Sequence, residues 1–174
     1  MAADIANLIA TTIRDVPDYP QPGVLFKDIT PLLADGAVFA AVVDALAAGS
    51  ADVTKVAGIE ARGFILAAPV AYMLGAGFVP VRKQGKLPAE TYAESYALEY
   101  GTATLEVHTD AFLPTDRVLI VDDVLATGGT AAATASLIRR AGATVTGIVV
   151  LLELGFLAGR GKLPDLPVRS LVTV

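Results

Sequence analysis

The chain has 174 residues, a length that suits one compact α/β domain with its own hydrophobic core. Its formal net charge is -5 at pH 7, whereas proteins that bind duplex DNA usually carry a basic surface. The sequence contains no cysteine, which excludes disulfides, thiolate metal sites and cysteine nucleophiles.

No uninterrupted apolar run is long enough to span a bilayer, and the most apolar stretch, 146–154, has the length of a buried strand. The N-terminal segment MAADIANLIATTIRD lacks the basic flank and the apolar core of a signal peptide. We therefore expect a cytoplasmic protein without nucleic-acid or membrane partners. A local basic cluster of Arg82, Lys83 and Lys86 fits a small anionic ligand better than a polymer.

Apolar spacing and turn residues predict the secondary structure in chain order. A helix is predicted over 4–13, and a proline-containing ordered arm or loop follows over 16–28. Further helices are predicted over 38–48, 64–74 and 129–141, and a polar loop over 84–94. Strands are predicted over 55–59, 77–82, 95–99, 104–108, 117–121, 144–152 and 168–174.

The alternation of strands and helices indicates an α/β fold with a mostly parallel sheet flanked by helices. The sequence shows no internal repeat, no low-complexity tract and no linker. We therefore expect residues 1–174 to form a single domain. Its two irregular appendages are the proline-rich arm and the segment 84–108.

The clearest functional motif is VLIVDDVLATGGTAAATASLIRR, residues 118–140. Asp122 and Asp123 follow a buried-type strand, and small residues then lead into an alanine-rich helix. In open α/β sheets ligands bind beyond the carboxyl ends of the strands. Small residues let backbone N–H groups approach a phosphate, which the helix N-terminus also favours. The two carboxylates suit sugar hydroxyls, or a magnesium ion held through water.

Simpler interpretations of this motif are a helix cap for the two aspartates and a plain turn for the two glycines. The competing phosphate motifs do not match. The sequence has no G-x-x-x-x-G-K-[ST] pattern, and Gly75-Ala76-Gly77 lacks the third glycine of a dinucleotide-binding loop.

The segment VLIVDDVLATGGT resembles the 5-phosphoribosyl-1-diphosphate (PRPP) signature of type I phosphoribosyltransferases. Four further segments resemble the adenine phosphoribosyltransferases, and they occur in the same order. They are VPDYPQPGVLFKDITPLL (16–33), GIEARGF (58–64), VRKQGKLP (81–88) and YALEYG (96–101). The PRPP motif alone indicates the superfamily, whereas the proline arm together with the LEYG segment indicates the adenine branch.

The resemblance implies the type I phosphoribosyltransferase fold, with an N-terminal hood arm over about 16–33 and a mobile loop over about 84–108. It implies an enzyme of purine salvage that converts adenine and PRPP to AMP and pyrophosphate. The implied cofactor is Mg²⁺, held mainly by PRPP and water rather than directly by the protein. The implied assembly is a homodimer.

The resemblance also assigns the ribose and phosphate contacts. Asp122 and Asp123 would hold the ribose hydroxyls. The 5-phosphate would lie on a loop whose members are Ala126, Thr127, Gly128, Gly129 and Thr130. The basic residues implied to bind pyrophosphate are Arg62, Arg82, Lys83 and Lys86. The peptide bond before Ala61 is implied to be cis. An ordinary surface arginine and a solvated basic face are the alternatives for these cations.

For the base, the resemblance implies a hood formed by Leu25, Phe26 and Lys27, with Phe26 stacked on adenine and backbone groups of its neighbours reading the ring edge. Glu99, followed by Tyr100, would lie in a closing loop and handle a proton of the purine. The implied catalytic set is thus Glu99, Asp122, Asp123 and Arg62. A core aromatic and a solvent-exposed loop acid are the alternatives for Phe26 and Glu99. His108 is predicted to be structural because it ends a predicted strand.

Two other functions compete with this interpretation. One is a phosphoribosyltransferase for hypoxanthine, guanine or orotate, which the Asp-Asp pair and the PGVLFKD arm disfavour. The other is a non-catalytic PRPP-sensing regulator. Such a regulator usually has an added basic domain, which this sequence does not display.

Overall fold

The computed structural model describes residues 2–97 and 101–174. Their Cα positions divide into two compact units, residues 1–45 and 46–174. The predicted single domain thus contains two units.

The first unit contains a β-hairpin between helices. Helix α1 (Ala2–Thr12) precedes strands β1 (Arg14–Pro17) and β2 (Leu25–Asp28), and α2 (Thr30–Ala34) and α3 (Gly36–Ala47) follow. The strands pair antiparallel, with Val16 opposite Phe26. The Tyr19 and Phe26 rings pack edge to face at 5.2 Å. The predicted ordered arm is therefore a hairpin, and the short helix α2 was not predicted.

The second unit contains a seven-stranded sheet within the described residues, in the order β5-β6-β4-β3-β7-β8-β9. The strands are β3 (Lys55–Ile59), β4 (Gly77–Lys83), β5 (Thr91–Ala97), β6 (Thr102–His108), β7 (Arg117–Leu125), β8 (Thr144–Glu153) and β9 (Val168–Thr173). From β4 to β9 all neighbours are parallel. The hairpin β5-β6 adds antiparallel to β4. The predicted mostly parallel sheet is confirmed.

Two helices cover this sheet, α4 (Arg62–Leu74) and α5 (Gly129–Arg140). Ala57 and Ile59 of β3 belong to the same buried cluster as Leu137 of α5. The intervening Gly58 instead faces Ala67 of α4, because a Cβ on Gly58 would lie 2.7 Å from the Ala67 Cβ. Since successive residues of a strand point to opposite faces, the two helices pack on opposite faces of the sheet. This explains why the central strands are apolar at nearly every position.

The connections of the central strands define a switch point in the sheet. Strand β3 leads through α4 to β4 on one side, whereas β7 leads through α5 to β8 on the other. Neighbouring strands whose connections diverge in this way leave a crevice at their carboxyl ends, where α/β proteins bind ligands. The crevice here lies after Ile59 and around Asp122.

Some predicted boundaries were wrong. Strand β7 was predicted to end at Val121, but it continues to Leu125 because β8 still pairs with it after β3 has ended. The predicted loop 84–94 overlaps β5, which begins at Thr91 and pairs with β6. None of the helices in the described part of the chain is long and apolar enough to cross a membrane.

Candidate active site

Arg62 and Asp123 meet across the switch point. Arg62 is the first residue of α4, and Asp123 lies on β7. Arg62 Nε lies 2.7 Å from Asp123 Oδ2, where the carboxylate is buried and the guanidinium is partly exposed. The structure thus brings two predicted site residues, which are far apart in sequence, into one ion pair.

Gly63 allows this close approach. A Cβ on Gly63 would lie 2.6 Å from Asp122 Oδ1 and 3.2 Å from the carbonyl oxygen of Val121. Any side chain at this position would therefore push the start of α4 away from the aspartates. Gly63 was not among the predicted site residues, although it lies in the quoted segment GIEARGF.

The peptide bond between Glu60 and Ala61 is cis, as the resemblance implied. The Glu60 carboxylate accepts hydrogen bonds from Lys83 N at 3.0 Å and from Arg82 Nε at 3.2 Å. Burial acts to raise the pKa of Glu60, but these hydrogen bonds and the nearby cations outweigh it and hold the pKa below its ordinary value. Glu60 was missed by the sequence analysis, and it joins the predicted basic cluster to the turn that carries Arg62.

The rest of the basic cluster is local to the end of β4. Arg82 Nη1 donates to the carbonyl oxygen of Lys86 at 3.1 Å, so Arg82 also fixes the turn after β4. Lys83 and Lys86 are exposed. The cluster therefore presents positive charge beside the Glu60–Arg62 turn.

Asp122 and Asp123 share one electrostatic environment. Asp122 Oδ1 accepts a hydrogen bond from Asp123 N at 2.9 Å. Burial, reinforced by the neighbouring Asp123 charge, raises the pKa of Asp122 well above its ordinary value. Burial also raises the pKa of Asp123, although Arg62 opposes this shift. The pair therefore retains a proton more readily than exposed aspartates do.

The carboxylates leave acceptor capacity for a ligand. Within the described residues, Asp123 Oδ2 is buried and receives no aligned hydrogen bond, although Arg62 Nε is close to it. The same part of the chain contains no cluster of three or more histidine, aspartate or glutamate side chains suited to a metal. These oxygen donors fit hydroxyl groups or the water shell of a magnesium ion.

The predicted phosphate loop begins directly after β7. Gly128 caps α5 with φ 78°, a left-handed conformation that favours glycine. A cavity of about 70 Å³ lies here, and its lining includes Asp122, Ala126, Thr127, Gly128 and Thr130. One water requires about 10–15 Å³ of such space, so a larger group such as phosphate has room. The free N–H groups of the helix N-terminus suit an anion at this place.

The back of this loop rests on a second glycine, Gly159, in the 3₁₀ turn Gly159–Lys162. A Cβ on Gly128 would overlap the Gly159 carbonyl oxygen and lie 3.0 Å from its carbon. Conversely, a Cβ on Gly159 would overlap the Ala126 carbonyl oxygen. Gly159 was missed because a glycine distant in sequence carries no signal of which backbone it contacts.

Tyr96 of β5 packs on the front of the same loop. A Cβ on Gly129 would lie 3.1 Å from the Tyr96 ring, and Thr130 Oγ1 donates to Tyr96 Oη at 3.2 Å. Tyr96 begins the quoted segment YALEYG but was given no role in the sequence analysis. The two predicted residues that follow, Glu99 and Tyr100, lie outside the described residues.

The predicted adenine contacts lie on β2 of the first unit. Leu25 is exposed and Phe26 is partly buried. Lys27 is engaged through its side chain, since its Nζ donates to Asp15 Oδ1 at 2.7 Å.

His108 ends β6, as predicted, and does not reach the aspartates. It lines a separate cavity of about 230 Å³ together with Lys55 and Gly77. Those residues begin β3 and β4, so this cavity lies at the opposite edge of the parallel strands from Asp122. This position makes His108 unsuitable as a general base for chemistry at the switch point.

Comparison with known proteins identifies this arrangement. Residues 30–167 match the phosphoribosyl transferase domain family. The chain is 67% identical over 174 residues to adenine phosphoribosyltransferase of Acidothermus cellulolyticus, which covers 99% of this chain and 98% of the relative.

Solved structures give the same result. The crystal structure of adenine phosphoribosyltransferase from Rhodothermus marinus is similar with a TM-score of 0.94 at 52% identity, covering 99% of both chains. The Saccharomyces cerevisiae enzyme, complexed with an imino-altritol bisphosphate and adenine, is similar with a TM-score of 0.92 at 37% identity, covering 97% of this chain and 99% of that one. The predicted type I phosphoribosyltransferase fold is thereby confirmed. This chain belongs to the adenine phosphoribosyltransferase family.

Proposed function

We propose that this chain is a pentosyltransferase of purine salvage, which converts adenine and PRPP to AMP and pyrophosphate. Its membership of the adenine phosphoribosyltransferase family supports this activity. The observation that carries the mechanism is the Asp122–Asp123 pair, which adjoins the cavity at the start of the glycine loop and contacts Arg62 across the switch point.

The reaction moves charge in a direction that fits the site. A ring nitrogen of adenine displaces pyrophosphate at the anomeric carbon, so the ribose becomes electron-poor while the leaving group gains negative charge. Asp122 and Asp123 hold the ribose hydroxyls and lie near the developing positive charge. Arg62 and the cluster of Arg82, Lys83 and Lys86 stabilise the pyrophosphate.

Mg²⁺ completes this charge distribution as the cofactor. When bound, it neutralises charge on the pyrophosphate and orients it as a leaving group. PRPP oxygens and water would be its main ligands, and the Asp122–Asp123 pair would contact its water shell. The carboxylate oxygens of Asp122 and Asp123 at the switch point support this arrangement, because such oxygens accept hydrogen bonds from the water around Mg²⁺.

The loop of Ala126, Thr127, Gly128, Gly129 and Thr130 holds the 5-phosphate. Its backbone N–H groups and the Thr127 hydroxyl are the donors, and the Thr130 hydroxyl joins them when it leaves Tyr96 Oη. The amino end of α5 adds a favourable dipole. A fixed phosphate places the anomeric carbon over the aspartates. Binding energy from the phosphate, far from the reacting atoms, thus orients the ribose for reaction.

The base is bound by the hood arm, about 16–33. Phe26 stacks on the purine, while the backbones of Leu25 and Lys27 read its edge. The segment 84–108 acts as a mobile lid that brings Glu99 to a purine proton and excludes water from the anomeric carbon. The contact of Tyr96 with Gly129 and Thr130 supports a lid on the phosphate side of the site.

The proposed oligomeric state is a homodimer. Helix α4 exposes three large apolar side chains, Ile65, Tyr72 and Met73, and Tyr72 is 90% exposed. Exposed apolar surface of this kind supports association of two copies into a homodimer. We place the enzyme in the cytoplasm, as a single catalytic domain of residues 1–174.

The test is a direct assay of the purified chain. AMP and pyrophosphate are measured with PRPP, Mg²⁺ and either adenine or hypoxanthine. We expect stoichiometric products with adenine and a much lower rate with hypoxanthine. A higher kcat/KM with hypoxanthine would reassign the base, whereas PRPP binding without any pyrophosphate release would indicate a regulator.

A further inference from the structure

The phosphate loop is supported from behind by one turn of the chain. The backbone of Gly159 is buried and lies so close to Ala126 and Gly128 that neither glycine has room for a side chain. The position of the loop therefore depends on the position of this turn. What holds the turn in place is the residue that follows Gly159.

Arg160 anchors the turn to the sheet through several hydrogen bonds. Its Nε donates to Glu153 Oε1 at 2.6 Å and its Nη2 donates to Glu153 Oε2 at 2.7 Å. Its Nη1 donates to the carbonyl oxygen of Val168 at 2.6 Å. Two parallel N–H···O bonds of this type combine charge with a fixed orientation, which a single contact does not provide.

Glu153 connects this anchor to the beginning of the phosphate loop. It is the buried last residue of β8 and pairs with Leu125, the last residue before the loop, and with Thr173 of β9. Its neighbour Leu154 donates from N to the carbonyl oxygen of Leu125 at 2.9 Å. Ser170 Oγ donates to Glu153 Oε2 at 2.8 Å and so fixes the carboxylate from β9.

We propose that Arg160 is a positioning residue for the 5-phosphate: its ion pair with Glu153 presses the Gly159 turn against Ala126 and Gly128 and so sets the shape of the phosphate loop. This inference rests on the proposed function, since it assigns the loop to the 5-phosphate. Arg160 acts through Gly159 and touches no reacting atom.

Loss of the Arg160 anchor should affect the two phosphate ligands of the site unequally. A shift of the loop weakens the grip on the 5-phosphate, whereas the pyrophosphate cations lie on other segments, at the start of α4 and at the end of β4 and the turn after it. Misplacement of a binding group by about 1 Å lowers catalytic efficiency by about a hundredfold. Loss of Arg160 is therefore expected to weaken ribose 5-phosphate much more than pyrophosphate.

The experiment compares Arg160→Gln with Arg117→Gln. Arg117 is a matched control because it also pairs with an acid, Asp52, is similarly exposed, and lies at the far end of β7. Titration calorimetry with ribose 5-phosphate and with pyrophosphate, and KM for PRPP and for adenine, are measured for each. We expect Arg160→Gln to raise the Kd of ribose 5-phosphate and the KM for PRPP by about ten- to a hundredfold. In Arg160→Gln the Kd of pyrophosphate and the KM for adenine stay unchanged. Arg117→Gln changes neither the Kd of ribose 5-phosphate nor that of pyrophosphate.

Two further variants keep the test decisive if Arg160→Gln folds poorly. Arg160→Lys restores the charge without the two-pronged geometry, so we expect a partial loss confined to ribose 5-phosphate. Gly159→Ala places a Cβ against Ala126 and should give the same selective loss while Arg160 is intact.

An unchanged ribose 5-phosphate Kd in Arg160→Gln or Arg160→Lys, or an equal loss for both ligands, would overturn the positioning role. A wild-type chain that binds no ribose 5-phosphate would overturn the proposed function as well.

Discussion

Arg62 Nε lies 2.7 Å from Asp123 Oδ2, so a cation from the turn after β3 contacts a carboxylate of β7 across the switch point of the sheet. The two charges have different partners in the proposed reaction. Arg62 is assigned to the pyrophosphate and Asp123 to the ribose. In the free chain they partly neutralise each other. In the proposed reaction PRPP would offer each a new partner, so the pair would join the two halves of the substrate site before substrate binds.

Asp122→Asn and Asp123→Asn should each lower kcat/KM by about a hundredfold. Loss of one charge aimed at a transition state typically costs about 3 kcal/mol, which corresponds to that factor. Steady-state kinetics with PRPP and adenine measure the effect, and circular dichroism verifies the fold. Near-normal kcat/KM in both variants would remove the assignment of these carboxylates to the ribose.

Asp122→Asn should also make the fold more stable at neutral pH. The folded chain raises the pKa of Asp122 well above 3.8. The stability associated with its proton is therefore fully present below pH 3.8 and is lost as pH rises through the raised pKa. Asparagine removes this loss, and its oxygen can still accept from Asp123 N. Thermal unfolding between pH 5 and pH 8 should show a gain in Tm that grows with pH. A gain that shrinks as pH rises would contradict the assigned direction.

Gly128→Ala should abolish binding of ribose 5-phosphate and AMP without unfolding the chain, and Gly128→Val should do so more completely. Even one methyl group would collide with Gly159, and alanine would have to adopt the left-handed backbone conformation of Gly128. Titration calorimetry measures the binding. Gly161→Ala is the matched control, because a Cβ there meets no atom within 4 Å. Unchanged AMP affinity in Gly128→Ala would place the phosphate elsewhere.

The segment 84–108 should gain protection from hydrogen exchange when PRPP and a non-reactive adenine analogue bind together. The β5-β6 hairpin pairs with β4 at Arg82 and Lys83 and buries Leu105 and Val107 in the core, so we expect most of the gain in residues 84–90, which precede β5. Exchange with and without the ligands measures closure, with β9 as the internal reference because it carries no proposed site residue. Equal protection in both states would argue against a lid. Glu99→Gln should mainly lower kcat rather than weaken PRPP binding.

Phe26→Ala should raise KM for adenine while leaving the preference over hypoxanthine largely intact. Stacking on a flat ring contributes about 1–3 kcal/mol per base and does not distinguish the two purines. In the proposed site the preference comes from a backbone carbonyl at Leu25, which would accept from the amino group of adenine and would face an acceptor in hypoxanthine. A site of this kind rejects the wrong base by about 10⁴-fold.

Leu25→Ala is the matched control for the backbone contact and should keep that preference. The ratio of kcat/KM for adenine to that for hypoxanthine, measured for the three proteins, checks both statements. Loss of the preference in Phe26→Ala would show that the ring itself selects the base.

The sequence determined those features that depend on neighbouring residues. Period and composition predicted the parallel strands, because strands buried on both faces are apolar throughout. The run from Val118 to Thr130 could be recognised locally, because strand, carboxylates, glycine turn and helix start follow one another without interruption. The identity of the base and the role of the hood arm were predicted from the resemblance alone, because hydrophobic periodicity indicates neither.

The tertiary structure decided what depends on contacts between distant segments. Strand β7 extends past Asp122 because β8 continues to pair with it, which the sequence of β7 does not encode. Glu60, Gly63, Tyr96 and Gly159 join the site only because other segments fold against them. A glycine that makes room for another backbone looks in sequence like any turn residue, since its partner is chosen by the packing of the sheet rather than by its neighbours in the chain.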